Sequence, residues 1–382
     1  MKKILYVLLL WLPFGTMGQS TFTVTTNGTT IQMDNAIDYA TDIWSQYLNS
    51  TIPIKVNVIF TDLGDGGTNG VCLSNIRNDF TGAPNPTVTY NTSLANAISG
   101  TELNAGEFDM DIYMNSSTNW YFGLDGSPSG AQFDFVTVFM HEIAHGLGGV
   151  SFAKVENGLG SFGMITVSDI PLPTSFTVNF EPGAPTVWDN FLVNGLGQNI
   201  ADSSIFPNQT TALAAEIQSN DIYFSGTNAK AANGGENPKI YAPAVWTLSS
   251  SMHHFDEDTF PVGSDNELFT PFSNPSDAIQ IPGPILLGAL KDLGWSINEV
   301  LGLDKHVINQ TARLYPNPAK DYFNIYLDSG LELKQVNLYN IQGQYIFSIK
   351  SHKVDIQNLQ SGMYVMEIET NQGMTTKKLV VK

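Results

Sequence analysis

A chain of 382 residues, 42% hydrophobic and 11% aromatic, is long enough for a large domain plus an accessory one and apolar enough to bury a core. A formal net charge of −19 argues against nucleic acid or an anionic membrane as a partner. The single cysteine, Cys72, rules out an internal disulfide framework and reads as a buried free thiol. The charge is uneven, with 8 basic and 30 acidic residues over 19–313 against 7 and 6 over 314–382, so the chain changes character near residue 313.

Lys2 and Lys3 precede an apolar run over 4–12, and Thr16 and Gly18 are small residues at positions −3 and −1 of a cleavage site. Residues 1–18 therefore read as a secretory signal peptide, with Gln19 as the mature N-terminus. No segment is long and apolar enough for a stable membrane span. Asp34 is expected to cap an amphipathic helix whose apolar face is Ile37, Ala40, Ile43, Trp44, Tyr47 and Leu48. Residues 55–60 alternate as a strand, 62–70 read as a Gly/Asp-rich loop, and 108–114 alternate as a second strand with Asp109 and Asp111 on a solvated face.

Asp134 is placed to cap the next helix, which carries His141-Glu142-Ile143-Ala144-His145 and is stopped by Gly146, Gly148 and Gly149. Residues 151–250 are loop-rich with one helix at 211–219, and 284–293 form a short late helix. A linker over 301–313 leads to five short strands, at 323–327, 335–339, 345–349, 364–369 and 375–381, with turns such as Gln342-Gly343 and Ser361-Gly362. That rhythm implies a small antiparallel β-sandwich over 314–382, following a larger domain over 19–300. The predicted fold class is α+β.

His141 and His145 are four apart on the predicted helix, so one face offers both imidazoles to a single ion. Glu142 stands about 100° round the helix, where it can take a proton from a metal-bound water. A catalytic zinc site needs three protein ligands and a position for water. Gly148 fits the extended pattern HExxHxxGxxH, but Ser151 occupies the position of its third histidine and is a poor zinc ligand. His306 lies in the linker and His352 in the C-terminal module, which leaves the pair His253-His254, or a carboxylate such as Glu156 or Glu181. An inhibitory thiol at Cys72 has nothing around it in support.

The segments HEIAHGLG (141–148), SSMHHFDE (250–257) and NELFTP (266–271) together resemble the leishmanolysin-like metzincin proteases. The resemblance spans about residues 21–295. It implies a zinc protease domain with a twisted sheet, an active-site helix and an irregular lower subdomain. It also implies a third ligand at His254 (His253 being the alternative) and a sharp turn at Gly148. Phe269 would stand where the family has a methionine beneath the metal. The activity implied is that of a secreted zinc-dependent endopeptidase with Glu142 as general base. Its protein or peptide substrate would add as a strand to the sheet edge, for which 108–114 is the candidate. Some carboxylates could hold Ca2+ besides the catalytic Zn2+. A catalytically inactive surface adhesin of the same fold is the alternative, against which the intact Glu142 speaks.

The segments LYPNPA (314–319), LYNIQG (338–343), LQSGMY (359–364) and KKLVVK (377–382) resemble the type IX secretion sorting domain of Bacteroidetes. That resemblance implies the type IX secretion machinery as a partner, passage through the outer membrane, and release or surface attachment.

Overall fold

A computed structural model describes residues 19–64, 67–165, 184–298, 312–327, 331–340, 344–371 and 373–382. The signal-peptide reading of 1–18, most of the expected linker with His306, the candidate ligand Glu181 and the turn at Gln342-Gly343 lie outside the described residues. The chain divides into two compact units, Met1–Asn298 and Glu299–Lys382. The architecture is mixed α+β, with mostly small sheets and few helices.

In the first unit the strands β1 (Phe22–Asn27), β2 (Ile54–Thr61), β3 (Gly70–Ser74) and β4 (Met110–Asn115) form one sheet in the order β1-β2-β4-β3. The first three of that order run parallel and β3 pairs antiparallel with β4. Alternation drives β2 into the sheet, because Ile54, Val56 and Val58 are all buried. Helix α1 (Ile31–Tyr47) buries Ala36, Ile37, Ala40 and Trp44, and the Trp44 indole N–H bonds the Met140 carbonyl at 3.2 Å.

Three expectations are corrected here. The cap of α1 is Thr30, whose hydroxyl accepts the Met33 N–H at 3.4 Å, and Asp34 lies inside the first turn. An acidic residue is favourable in either place, so composition alone does not separate them. The strand expected at 108–114 is β4, which sits between β2 and β3, so the edges of the sheet are instead β1 and, beside β4, β3, which begins at the last residue of the expected loop. Period-two patterning identifies a strand but not its rank in a sheet. Asp109 is buried rather than solvated: it accepts the Lys55 N–H at 2.8 Å and the Asn96 amide at 3.0 Å. Burial, with the like charge of Glu102, pushes its carboxyl up to about 6. Asp111 is half-buried and accepts from the Asn57 amide at 2.6 Å.

Helices α2 (Thr92–Ser99), α3 (Phe135–Gly146), α4 (Thr211–Ile217), α5 (Thr227–Ala232) and α6 (Pro284–Leu293) complete the unit together with small two- and three-stranded sheets. After α6 the chain turns at Gly294, and the Trp295 indole N–H bonds the Leu147 carbonyl at 2.7 Å, which fixes the turn that follows α3.

In the second unit seven strands are described: β5 (Ala312–Tyr315), β6 (Tyr322–Leu327), β7 (Leu333–Asn340), β8 (Tyr345–Ile349), β9 (Lys353–Asp355), β10 (Gly362–Thr370) and β11 (Gly373–Val381). They form two sheets, β5-β6-β9 and β8-β7-β10-β11, with every pairing antiparallel. Phe323, Ile325, Val336, Leu338, Met366 and Leu379 belong to one buried cluster drawn from both sheets. β5 and β9 are additions to the five expected strands; both are too short for alternation to reveal.

Candidate metal centre

Helix α3 starts where the Asp134 carboxylate accepts the Thr137 N–H at 2.9 Å and the Thr137 hydroxyl at 2.7 Å. Phe135, Val136, Phe139, Met140, Ile143 and Ala144 are fully buried, which leaves His141, Glu142 and His145 on the stripe that faces a cavity. The cavity measures about 640 Å³, within the range of small-ligand and peptide sites. Past the helix end, Gly148 turns at φ +124°, and a Cβ there would lie 3.0 Å from Leu293, so the turn calls for glycine.

The third imidazole comes from an irregular segment. Met252 adopts φ +78°, its carbonyl accepts from the Trp188 indole at 2.9 Å, and the His254 carbonyl accepts the Tyr241 N–H at 2.9 Å. These bonds swing His254 towards α3. His141 Nε2 lies 3.1 Å from His145 Nε2 and 3.1 Å from His254 Nε2, although His254 is 113 positions further along the chain. Among the described residues, His141, His145 and His254 are the group of histidine, cysteine and acidic side chains whose donor atoms converge.

Their tautomers follow from the opposite ring edges. His141 Nδ1 is 2.7 Å from the Leu268 carbonyl, His145 Nδ1 is 2.6 Å from the Gly149 carbonyl, and His254 Nδ1 is 2.8 Å from the Ser250 carbonyl. A carbonyl only accepts, so each Nδ1 carries the hydrogen and each neutral ring aims an Nε2 lone pair inward. Burial holds the imidazoles neutral: His141 is lowered to about 4, and His145 and His254 are held well below the ordinary histidine value, by burial first and then by the neighbouring rings. Three inward lone pairs repel one another unless a cation sits between them. Two nitrogens bound at about 2.0–2.1 Å to a tetrahedral ion would be roughly 3.3 Å apart, close to the observed separations.

Phe269 lies against all three rings, with centroids 5.4 Å from His141, 4.9 Å from His145 and 5.4 Å from His254. His253 is beside the trio, its ring 5.4 Å from that of His145, but is not one of the converging imidazoles. Ser151 is buried with its hydroxyl turned to the Ala153 N–H at 3.0 Å, and Glu156 is exposed and paired with Lys154 at 3.3 Å. Neither joins the cluster.

Glu142 is buried beside the sheet edge, where its carboxylate accepts the Cys72 backbone N–H. Burial pushes its carboxyl up to about 8, opposed by that hydrogen bond. Asn69 and Asn75 both bond inward to the β4 side of the sheet, so alternation turns the backbone groups of Gly70, Cys72 and Ser74 outward, along the cavity. A Cβ at Gly70 would lie 2.8 Å from Glu142 Oε1, so glycine lets the edge approach that carboxylate. Cys72 is a free, half-buried thiol on this strand, held well above its ordinary pKa by burial first and then by Glu142. Gly70, Phe269's contact with all three rings and the three carbonyl acceptors carry no local signal, because each depends on chain segments far apart in sequence.

A family model described as a secretion system C-terminal sorting domain matches residues 313–382. The C-terminal module is a secretion sorting domain. It directs the protein through the type IX secretion system to the cell surface or the extracellular space, and implies interaction with that machinery. Among the described residues no helix is long and apolar enough to cross a membrane. A second family model, described as SPBPB7E8-like, matches residues 19–157, a stretch that contains His141, Glu142 and His145 and ends before His254. No curated protein matches the chain.

Proposed function

We propose that the exported protein is a zinc-dependent endopeptidase. The observation that carries this reading is the convergence of three neutral imidazoles whose Nδ1 atoms are each tied to a carbonyl. His141, His145 and His254 would hold Zn2+ through Nε2, and all-nitrogen ligation with no thiolate suits a catalytic rather than a closed structural site. Bound there, the ion would polarise a peptide carbonyl and lower the pKa of a water beside it. Glu142 is the residue that takes the proton of that water and returns it to the leaving amine. Its hydrogen bond from the Cys72 N–H orients the carboxylate at the sheet edge. An extended peptide adding to β3 would bring its backbone past both Glu142 and the histidines. Phe269, packed on all three rings, keeps them from rotating away.

The metzincin-like fold of the first unit and the β-sandwich form of the second belong to this proposal. The first is supported by an edge strand, an active-site helix and an irregular segment around one centre, the second by two antiparallel sheets around one apolar cluster.

The test is casein digestion with metal analysis of the purified mature protein. Wild type is expected to hold one zinc per chain and to lose activity with chelator. Glu142→Gln should keep the metal and lose about 10²–10⁴-fold in rate. Equal, chelator-insensitive digestion by both proteins would remove the proposal.

A further inference from the structure

Asp189 is fully buried and takes no part in the proposed hydrolysis, yet a buried carboxylate is costly unless hydrogen bonds hold it. Its Oδ2 accepts the Phe152 N–H at 3.1 Å and the Thr186 N–H at 2.8 Å. The Ser151 hydroxyl, which itself accepts the Ala153 N–H, donates its hydrogen to the same carboxylate. Burial pushes the Asp189 carboxyl up to about 6, opposed by these bonds, so at neutral pH it is charged and the bonds are charge-assisted. Thr186 adds a second grip: its hydroxyl donates to the Val150 carbonyl at 2.7 Å and accepts the Asp189 N–H at 3.1 Å. Val150, Ser151 and Phe152 are thus each held by Thr186 or Asp189.

What they hold is the exit of α3. Gly149 directly precedes Val150, and its carbonyl is the one 2.6 Å from His145 Nδ1. The Gly149 N–H is tied back to the Ala144 carbonyl at 3.1 Å, and a Cβ at Gly149 would lie 2.5 Å from Phe269. The direction of the Gly149 carbonyl therefore depends on what anchors the residues after it. In the same short segment, the Trp188 indole N–H reaches the Met252 carbonyl at 2.9 Å, two residues before His254, and the Trp188 ring meets Phe269 edge-on at 5.8 Å. The segment is itself fixed: the Val187 N–H bonds the Thr89 carbonyl at 2.8 Å and the Thr89 N–H bonds the Pro185 carbonyl at 3.0 Å.

We propose that Thr186–Asp189 is a positioning brace for the metal centre, Asp189 acting on His145 through the Gly149 carbonyl and Trp188 acting on His254 through Met252. The inference rests on the zinc-site reading above and names the residues that set its geometry. His145 and His254 arrive on separate stretches of chain, and the brace bonds to both. Partners behind a ligand that fix its ring orientation are worth about 10–100-fold in metal affinity. Ser151, which stands where the extended motif has a histidine, serves the brace through its bond to Asp189.

The test compares wild type, Asp189→Ala, Asp189→Asn and Trp188→Phe for zinc affinity, by competition with a chelator, and for exchange of each imidazole Nδ1–H in the metal-free protein, by NMR. Asp189→Ala should weaken zinc about 10–100-fold and speed exchange at His145 while His254 stays protected. Trp188→Phe, which keeps an aromatic ring and loses the N–H, should instead free His254 and leave His145 protected. Asp189→Asn keeps an acceptor for both N–H groups and should recover most of the affinity that Asp189→Ala loses. Variants that melt at lower temperature but keep wild-type zinc affinity and all three protected rings make the segment structural only and overturn the brace. Uniform loss of protection at every ring, or Asp189→Asn as weak as Asp189→Ala, also overturns it. If Asp189→Ala does not fold, Thr186→Val takes its place with the same outcome expected at His145. A wild type that binds zinc but digests no casein ends the endopeptidase reading and leaves the affinities to decide the brace. A wild type that binds no zinc ends the metal centre, and the brace with it.

Discussion

Helix α3 and the irregular stretch from Thr247 to Thr270 contribute to the same cluster of imidazoles by opposite means. α3 delivers two histidines through its own periodicity, with a capped start, an apolar face buried on the sheet and His141 four residues from His145. The other stretch has little regular structure and orients His254 through bonds to Tyr241, Trp188 and Ser250. A helix face is thus specified locally, whereas a ligand on a loop is only as well placed as the tertiary contacts around it.

Substitutions on the two sides of that comparison test it. The largest effect is expected from His254→Ala, which should abolish bound metal and activity despite an intact α3; metal analysis and digestion check this, and full retention of metal would reassign the centre. Phe269→Ala should cost about 3–5 kcal/mol in thermal or denaturant unfolding and loosen all three rings, whereas Phe269→Met should cost less than about 1.5 kcal/mol.

Asp109 serves as a buried internal contrast. Its folded pKa, about 6, is raised above the ordinary 3.8, so the folded state binds more protons between those values and stability falls as pH rises through 6. Asp109→Asn should remove roughly 2–3 kcal/mol of that fall, seen as unfolding curves of variant and wild type that diverge between pH 4 and pH 7. Gly70→Ala should lower activity about tenfold while leaving metal content unchanged, because the new methyl displaces the Glu142 carboxylate rather than a histidine. The smallest effect is at the cap of α1, where Thr30→Ala should cost about 1 kcal/mol and Asp34→Ala about half of that, measured by thermal unfolding. The reverse order would restore Asp34 as the cap.

Much of the molecule is legible from its sequence, in proportion to how local each signal is. The start of α3 at Asp134, the helix at Pro284–Leu293 and the strand at Tyr345–Ile349 lie where capping, periodicity and alternation put them. The sorting module is legible from short motifs that lie close together in one small unit. The misreadings concern relations rather than elements. The rank of β4 inside the sheet, the burial of Asp109 and the edge role of Gly70–Ser74 depend on which strands stack beside them, and no local pattern encodes a neighbour.

For the candidate site, the sequence by itself determined the residue types: a helix offering two imidazoles and a carboxylate, and a distant histidine pair as a source of the third. Only the tertiary structure brought His254 rather than His253 into the converging trio, turned the Ser151 hydroxyl to the Ala153 N–H, aimed the three Nε2 atoms at one another and put Glu142 against the sheet edge. The physical reason is range. Helical periodicity is written into neighbouring residues, whereas convergence of side chains 113 positions apart is fixed by backbone carbonyls and packed rings that meet only when the chain has folded.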